Sequence, residues 1–278
     1  MPKTSASLPT INPADIHLAQ SAAERVVRTH QALVPFLRTG LTLGEIDTFV
    51  AKTLDSLGCK SCFRGYKQGR TPPFPSHACL SVNDCVVHGT AASHLAPLKH
   101  GDVLKIDIGA TYRGYIGDAA WTYVFGTPSP EVHRLTECGK ESLRRGIAQM
   151  HPGKQLIEWA KAVQGHVEDG CGFHLVRGLG GHGIGRTLHQ PPYVSNVIPS
   201  PADQWAEARE RWIEGVLVAV EPMIAAGTHK VLSTSGQWPV RTADGSMSVH
   251  YEHDVLITAA GPKVLTAGLE ELEDVILK

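Results

Sequence analysis

The chain has 278 residues, with 26 Lys and Arg against 27 Asp and Glu, a formal net charge of -1 and 42% hydrophobic residues. That length supports a sizeable core in one large or two fused domains. The near-neutral balance, with no Lys/Arg run longer than two, argues against nucleic acid or an anionic membrane surface as the main partner. No window approaches the ~18 apolar residues of a membrane span. The N-terminus lacks a basic segment followed by an apolar core. The cytoplasm is therefore the expected compartment. Six cysteines, at 59, 62, 79, 85, 138 and 171, are expected as free thiols in a chain of this kind. Cys59 and Cys62 have CxxC spacing, but no second CxxC or CxxH completes a zinc site.

Residues 1–11 are polar and expected to be loose. The rest, 12–278, reads as one catalytic unit. Asn12-Pro13-Ala14-Asp15 has the cap, proline and acid of a helix start. Apolar residues at helical spacing follow to about Pro35. Thr42-Leu43-Gly44-Glu45 is a capping box opening a second helix, which Gly58 stops. Residues 59–76 read as a loop. Cys79 to Val82 and Cys85 to Val87 are short strands around an Asn83-Asp84 turn, and the second ends at His88-Gly89.

The run Val103 to Ile108 is a buried strand that carries an acid, Asp107. A turn at Arg113-Gly114 returns the chain, and Asp118 opens a second apolar run to Phe125. The acids are 11 residues apart. Across an even-length hairpin loop, an odd separation places both on one face, opposite or diagonal. Two carboxylates ~5 Å apart on a buried face repel unless a proton or cation lies between them. An ordinary hairpin whose acids meet Lys or Arg is the alternative.

The second half repeats the pattern. Ser129-Pro130-Glu131 starts a helix to about Met150, and a second helix is expected from Lys154 to Glu168. Gly178 to Gly185 is too glycine-rich for a helix and predicts a tight loop holding His182 outward. Glu214 to Pro222 is a buried strand that reaches Glu221. Residues 229–247 form a polar excursion. Ser248 to Thr258 is the last long strand, with Glu252 inside it. Gly101 precedes Asp107 by six residues and Gly215 precedes Glu221 by six. Two similar halves, about 12–150 and 151–278, would face each other across one site in an α+β fold.

Asp107, Asp118, His182, Glu221 and Glu252 would be unstable as a bare buried cluster. Two divalent cations would neutralise them, and hard oxygen ligands with one imidazole suit Mn, Fe, Co or Zn. A lone histidine is more often a satisfied loop residue than a ligand. The glycines around His182 and a second histidine at 189 favour the functional reading. His88, at a strand end, is placed to reach a pocket.

At these residues the chain resembles the type I methionine aminopeptidases, metallopeptidases of the pita-bread fold. The matching motifs are Cys79 to Asp84 with His88-Gly89, Ile106-Asp107 with Gly117-Asp118, Gly181 to Arg186 with His189, Val220 to Met223, and Tyr251-Glu252-His253. Five motifs in order are far more specific than any one of them. The resemblance implies a curved antiparallel sheet with helices on its outer face and pseudo-two-fold halves. It also implies two metal ions on Asp107, Asp118, His182, Glu221 and Glu252, bridged by Asp118 and Glu252. His88 would contact the substrate, His189 would bond its carbonyl oxygen, and Glu221 would shuttle a proton. Tyr66, Phe74, Cys79, Leu188 and Trp238 would line the methionine pocket. The substrate would be the N-terminus of a peptide or nascent chain whose second residue is small. The role of such relatives suggests the ribosome as a docking partner, with the enzyme itself a monomer.

The chain departs from the family at Leu188, where Phe is usual, and at Phe74, where Tyr is usual. Ile108-Gly109-Ala110 after Asp107 resembles the X-Pro aminopeptidases and dipeptidases of the same fold, which are the competing reading. A catalytically inactive binding module would have lost ligands, and none of the five is missing here.

Overall fold

The computed structural model describes residues 8–69, 71–200 and 205–278. Residues 1–7 of the expected loose segment, and Arg70 of the expected 59–76 loop, lie outside the described residues. The end of that N-terminal segment is not loose. Leu8 is buried, and the Ile11 N–H donates to the Gly215 carbonyl at 2.8 Å, which ties the start of the chain to the second half.

The Asn12 side chain accepts from the Ala14 N–H at 3.1 Å. It opens a short 3-10 turn, Pro13–Asp15, that leads into α1 (Ile16–Phe36). The capping box at Thr42 is complete, with the Glu45 N–H donating to Thr42 Oγ1 at 3.3 Å and the Thr42 N–H donating to Glu45 Oε2 at 2.8 Å. It starts α2 (Leu43–Ser56), and Gly58 ends it in the left-handed region at φ +69.

The loop after α2 contributes one short strand, β1 (Lys60–Ser61), that pairs with the site hairpin. Then come β2 (Cys79–Val82), β3 (Cys85–Val87), β4 (Val103–Tyr112) and β5 (Tyr115–Phe125). Arg113 and Gly114 form a two-residue loop with φ 47 and φ 81, the doubly left-handed geometry that suits a tight hairpin. It fixes the register: Asp107 pairs with Ala120, and Gly109 pairs with Asp118. Side chains two apart on a strand share a face, so Asp107 and Asp118 are diagonal neighbours on one face. α1 packs on the other side of this hairpin. A Cβ on Gly117 would run into the backbone of Ala22 and Ala23, so glycine lets the helix lie close behind Asp118.

In the second half α3 (Pro130–Ile147) is capped by Ser129, which accepts from the Val132 N–H at 3.2 Å. α4 (Ile157–Gln164) begins later than the expected Lys154. It continues as a π-helical turn, Gly165–Gly170, where an α-helix was expected. The strands are β6 (His174–Leu175), β7 (Gly180–Gly183), β8 (Gln190–Ser195), β9 (Leu217–Val220), β10 (Met223–Ala225), β11 (Val231–Ser233), β12 (Val240–Thr242), β13 (Ser248–His250), β14 (His253–Thr258), β15 (Gly261–Val264) and β16 (Val275–Ile276).

The structure places two of the candidate site residues differently from the sequence expectation. His182 is not in a loop. It lies in β7, which pairs with both β8 and β9. The flanking glycines remove side chains where strands crowd: a Cβ on Gly181 would strike the Ala219 carbonyl, and one on Gly183 the Pro191 carbonyl. Nor is Glu252 inside a continuous strand. The run 248–258 breaks at Tyr251 and Glu252, with β13 paired to β10 and β14 paired to β9.

The two halves use the same construction. Gly101 (φ +92) and Gly215 (φ +88) each turn the chain into a strand, β4 carrying Asp107 and β9 leading to Glu221. Their N–H groups donate to Phe125 and Ile257, at the far ends of the partner strands, at 2.7 and 2.8 Å. The halves meet at the acids. The Glu252 N–H donates to the Ala120 carbonyl at 2.9 Å, and the Asp118 N–H donates to Asp254 Oδ2 at 2.9 Å. The result is an α+β fold of sheets backed by helices, antiparallel except where β16 pairs with β5 in parallel. Among the described residues, no helix is long and apolar enough to cross a membrane.

Candidate active site

Asp107 and Asp118 project from the β4–β5 face. Glu221 follows β9, Glu252 precedes β14, and His182 stands on β7 beside them. All five line one cavity of about 500 Å³ together with His88, His189, Tyr66, Phe74, Cys79, Leu188 and Trp238. The structure thus brings together every candidate residue read from the sequence. It also adds residues not expected from the sequence, chiefly His250, Phe63 and Met223. His250 lies two residues before Glu252, and strand alternation over that spacing was the available signal.

The polar end of the cavity is crowded with charge. His182 Nε2 lies 3.7 Å from Glu221 Oε1 and 4.0 Å from Asp118 Oδ2. His250 Nε2 lies 3.2 Å from Glu221 Oε2 and 4.0 Å from Glu252 Oε2. Ligand atoms of Asp118, His182 and Glu252 fall within 4.8 Å of one another, as do those of Glu221, His250 and Glu252. Glu252 belongs to both groups.

Burial dominates the electrostatics. It pushes the Asp118 carboxyl up to about 7. It holds Asp107, Glu221 and Glu252 well above the usual carboxylate range, with their mutual repulsion adding to the effect. It lowers His182 and His250 to about 3, so both are neutral imidazoles. The His182 Nδ1–H donates to the Gly183 carbonyl at 3.2 Å, which leaves Nε2 with its lone pair toward the acids.

Asp107 Oδ1, Asp118 Oδ1 and His250 Nε2 are buried without hydrogen-bond partners. Buried polar atoms are rarely left so, because each costs ~1–3 kcal/mol. A set of hard carboxylate oxygens with bare imidazole nitrogens and orphaned lone pairs fits divalent cations.

The other end of the cavity is apolar. Phe74 meets Trp238 edge-on at 5.2 Å and Phe63 at 6.3 Å. The Trp238 indole is fixed by donation to the Pro72 carbonyl at 2.8 Å. His88 follows β3 in the left-handed region at φ 58, with its ring 6.0 Å from Trp238. Burial lowers it to about 4. His189 stacks edge-on against His182 at 4.3 Å. Its Nδ1 is hydrogen-bonded to the Tyr66 hydroxyl at 2.7 Å. Tyr66, expected only as pocket lining, therefore also orients a histidine.

Carboxylates and imidazoles gathered beneath an apolar pocket, in this fold, mark a metal-dependent hydrolase. The chain belongs to metallopeptidase family M24, whose pattern matches residues 17–259, and the pita-bread fold expected from the sequence is the fold observed. The methionine aminopeptidase of Aquifex aeolicus is 35% identical over 257 residues, spanning 91% of this chain and 96% of its own. Methionine aminopeptidase 1 of Mycobacterium tuberculosis is 36% identical over 256 residues, spanning 89% and 88%. The crystal structure of the methionine aminopeptidase of Thermotoga maritima matches with a TM-score of 0.84 and 31% identity, covering 93% of this chain and 99% of that one. The X-Pro aminopeptidase of the same organism shares the fold at a TM-score of 0.71, with 22% identity, and this chain covers 63% of it.

Proposed function

We propose that the chain is a methionine aminopeptidase that removes the N-terminal methionine of peptides and nascent chains when the second residue is small. The observation that carries this reading is the cavity shared by all the candidate site residues. Its carboxylate–imidazole end and its aromatic end are joined by His88 and His189. The methionine aminopeptidases of Aquifex aeolicus and Thermotoga maritima are 35% and 31% identical to the chain, and the X-Pro enzyme is more distant at 22%.

Asp107, Asp118, His182, Glu221 and Glu252 would hold two divalent ions, Co, Mn, Fe or Zn, with Asp118 and Glu252 shared between them. When bound, such ions supply an activated water and polarise the scissile carbonyl. The chain does the rest. Phe63, Phe74, Cys79 and Trp238 receive the unbranched methionine side chain and exclude water. Tyr66 donates to His189 Nδ1, which leaves the Nε2–H to donate to the carbonyl oxygen as negative charge develops there. Neutral His88 orients the backbone near the scissile bond. Glu221 accepts the proton from the attacking water and returns it to the leaving amine.

Elemental analysis and peptide hydrolysis test this together. The expected result is two equivalents of Mn or Co per chain and cleavage of Met-Ala-Ser that ends on chelation. Failure to cleave with any divalent metal would overturn the reading.

A further inference from the structure

The segment after α4 carries a cluster that the peptidase reaction does not use. The π turn Gly165–Gly170 is closed by the Cys171 N–H donating to the His166 carbonyl at 2.9 Å. In an α-helix, residues five apart sit about 140° apart around the axis. The wider π turn brings them round to one side, and such turns concentrate at functional sites. Here it sets Cys171 Sγ 3.5 Å from His166 Nε2. Buried Cys138 reaches the same point from α3, and the three ligand atoms lie within 4.8 Å of one another. Among the described residues this is the one such group outside the catalytic cavity. It lines a second cavity of about 540 Å³.

Its donor chemistry differs from that of the catalytic cage. Two thiolates and an imidazole are softer ligands than carboxylates, and they select zinc-class ions over hard cations. Tetrahedral zinc, with sulfur at ~2.3 Å and nitrogen at ~2.0 Å, sets those two ligands about 3.5 Å apart, matching the 3.5 Å seen between Cys171 and His166. The acids beside the cluster are engaged elsewhere. Glu137 meets Lys140 at 2.7 Å, and Glu141 meets Arg145 at 2.7 Å. Three protein ligands with an open fourth position leave room for water from the cavity.

We propose that Cys138, His166 and Cys171 bind one zinc-class divalent ion, separately from the catalytic cage, and clamp α3 to the π turn.

The test is a Cd2+ titration of the full-length protein under a phosphine reductant, followed by the thiolate-to-cadmium charge-transfer absorption in the ultraviolet. Oxygen and nitrogen donors give no such band. The expected result is a band that saturates at one equivalent, falls by about half in Cys171→Ser and is absent in the Cys138→Ser/Cys171→Ser double variant. His166→Gln should need at least about tenfold more cadmium to reach half the band, because one of three ligands is lost. Cys171→Ser should cleave Met-Ala-Ser as the wild type does. No band would mean that the cluster is only a thiol–imidazole contact. A band of undiminished intensity in the Cys138→Ser/Cys171→Ser double variant would come from free thiols outside the cluster. Lost cleavage in a folded Cys171→Ser would tie the residue to the peptidase site. Each of these results overturns the proposal.

Discussion

Glu221 and Glu252 face each other at the step where a strand pair crosses from one sheet to another. Val220 pairs with His253 in one sheet and Met223 with His250 in the next, so the unpaired step between them sets the two glutamates opposite. The ladder is interrupted at this step, where the Glu252 N–H turns to the Ala120 carbonyl of the other half. Opening it at this step turns two strand residues into one wall of a cage, with His250 behind them.

His250 touches both glutamates, 3.2 Å from Glu221 and 4.0 Å from Glu252. Its loss should loosen the positions of both carboxylates. His250→Ala is expected to weaken metal affinity by about 10–100-fold, as for removal of a group that orients ligands. Metal-buffered activity titrations measure this, and unchanged affinity would contradict the role.

The β4–β5 turn decides which face Asp118 shares with Asp107. One glycine inserted between Arg113 and Gly114 should slip the register by one residue and turn Asp118 off the cage face. The expected outcome is a folded protein that binds less than one equivalent of metal and has lost cleavage. Full metal binding in the insertion variant would show that the hairpin register does not set the site.

The hairpin was readable in the sequence because odd spacing across a short turn is local geometry. The capping box at Thr42 was readable for the same reason. The break at Glu252 was not. Ser248 to Thr258 is one apolar run, and only its pairing with two different strands divides it. The glycines at 181 and 183 suggested a loop because they lower local order. Their actual role is to let β7 lie against the Ala219 and Pro191 carbonyls, a contact 38 and 8 residues away in the chain. The Cys138, His166 and Cys171 cluster was equally hidden, since nothing in the run 165–171 announces a π turn.

His189 and Tyr66 form a positioned pair at 2.7 Å. His189→Ala should lower kcat by about 10²–10³, as for removal of an oxyanion donor, with metal content unchanged. Tyr66→Phe removes only the orienting hydrogen bond and should cost about tenfold. Loss of metal from His189→Ala would make that residue a ligand instead.

Metal stabilisation should depend on pH. In metal-free protein the Asp118 proton is held up to about 7, against ~3.9 in an unfolded chain. The raised value contributes folded-state stability at low pH, and that contribution is lost as pH rises through about 7. A bound cation replaces the proton and is no longer opposed by it at higher pH. The rise in Tm on adding Mn should therefore grow from about pH 5 to about pH 7.5, as scanning calorimetry would show. A pH-independent increment would contradict the assignment of Asp118.

The most direct test compares kcat/KM for Met-Ala-Ser and Ala-Pro in one Mn-loaded preparation, with and without chelator. The expected result is a preference of at least about 100-fold for the methionyl peptide, from burying its side chain against Phe74 and Trp238, and loss of both activities on chelation. Equal or faster cleavage of Ala-Pro, or cleavage of Met-Ala-Ser that survives chelation, would contradict the account.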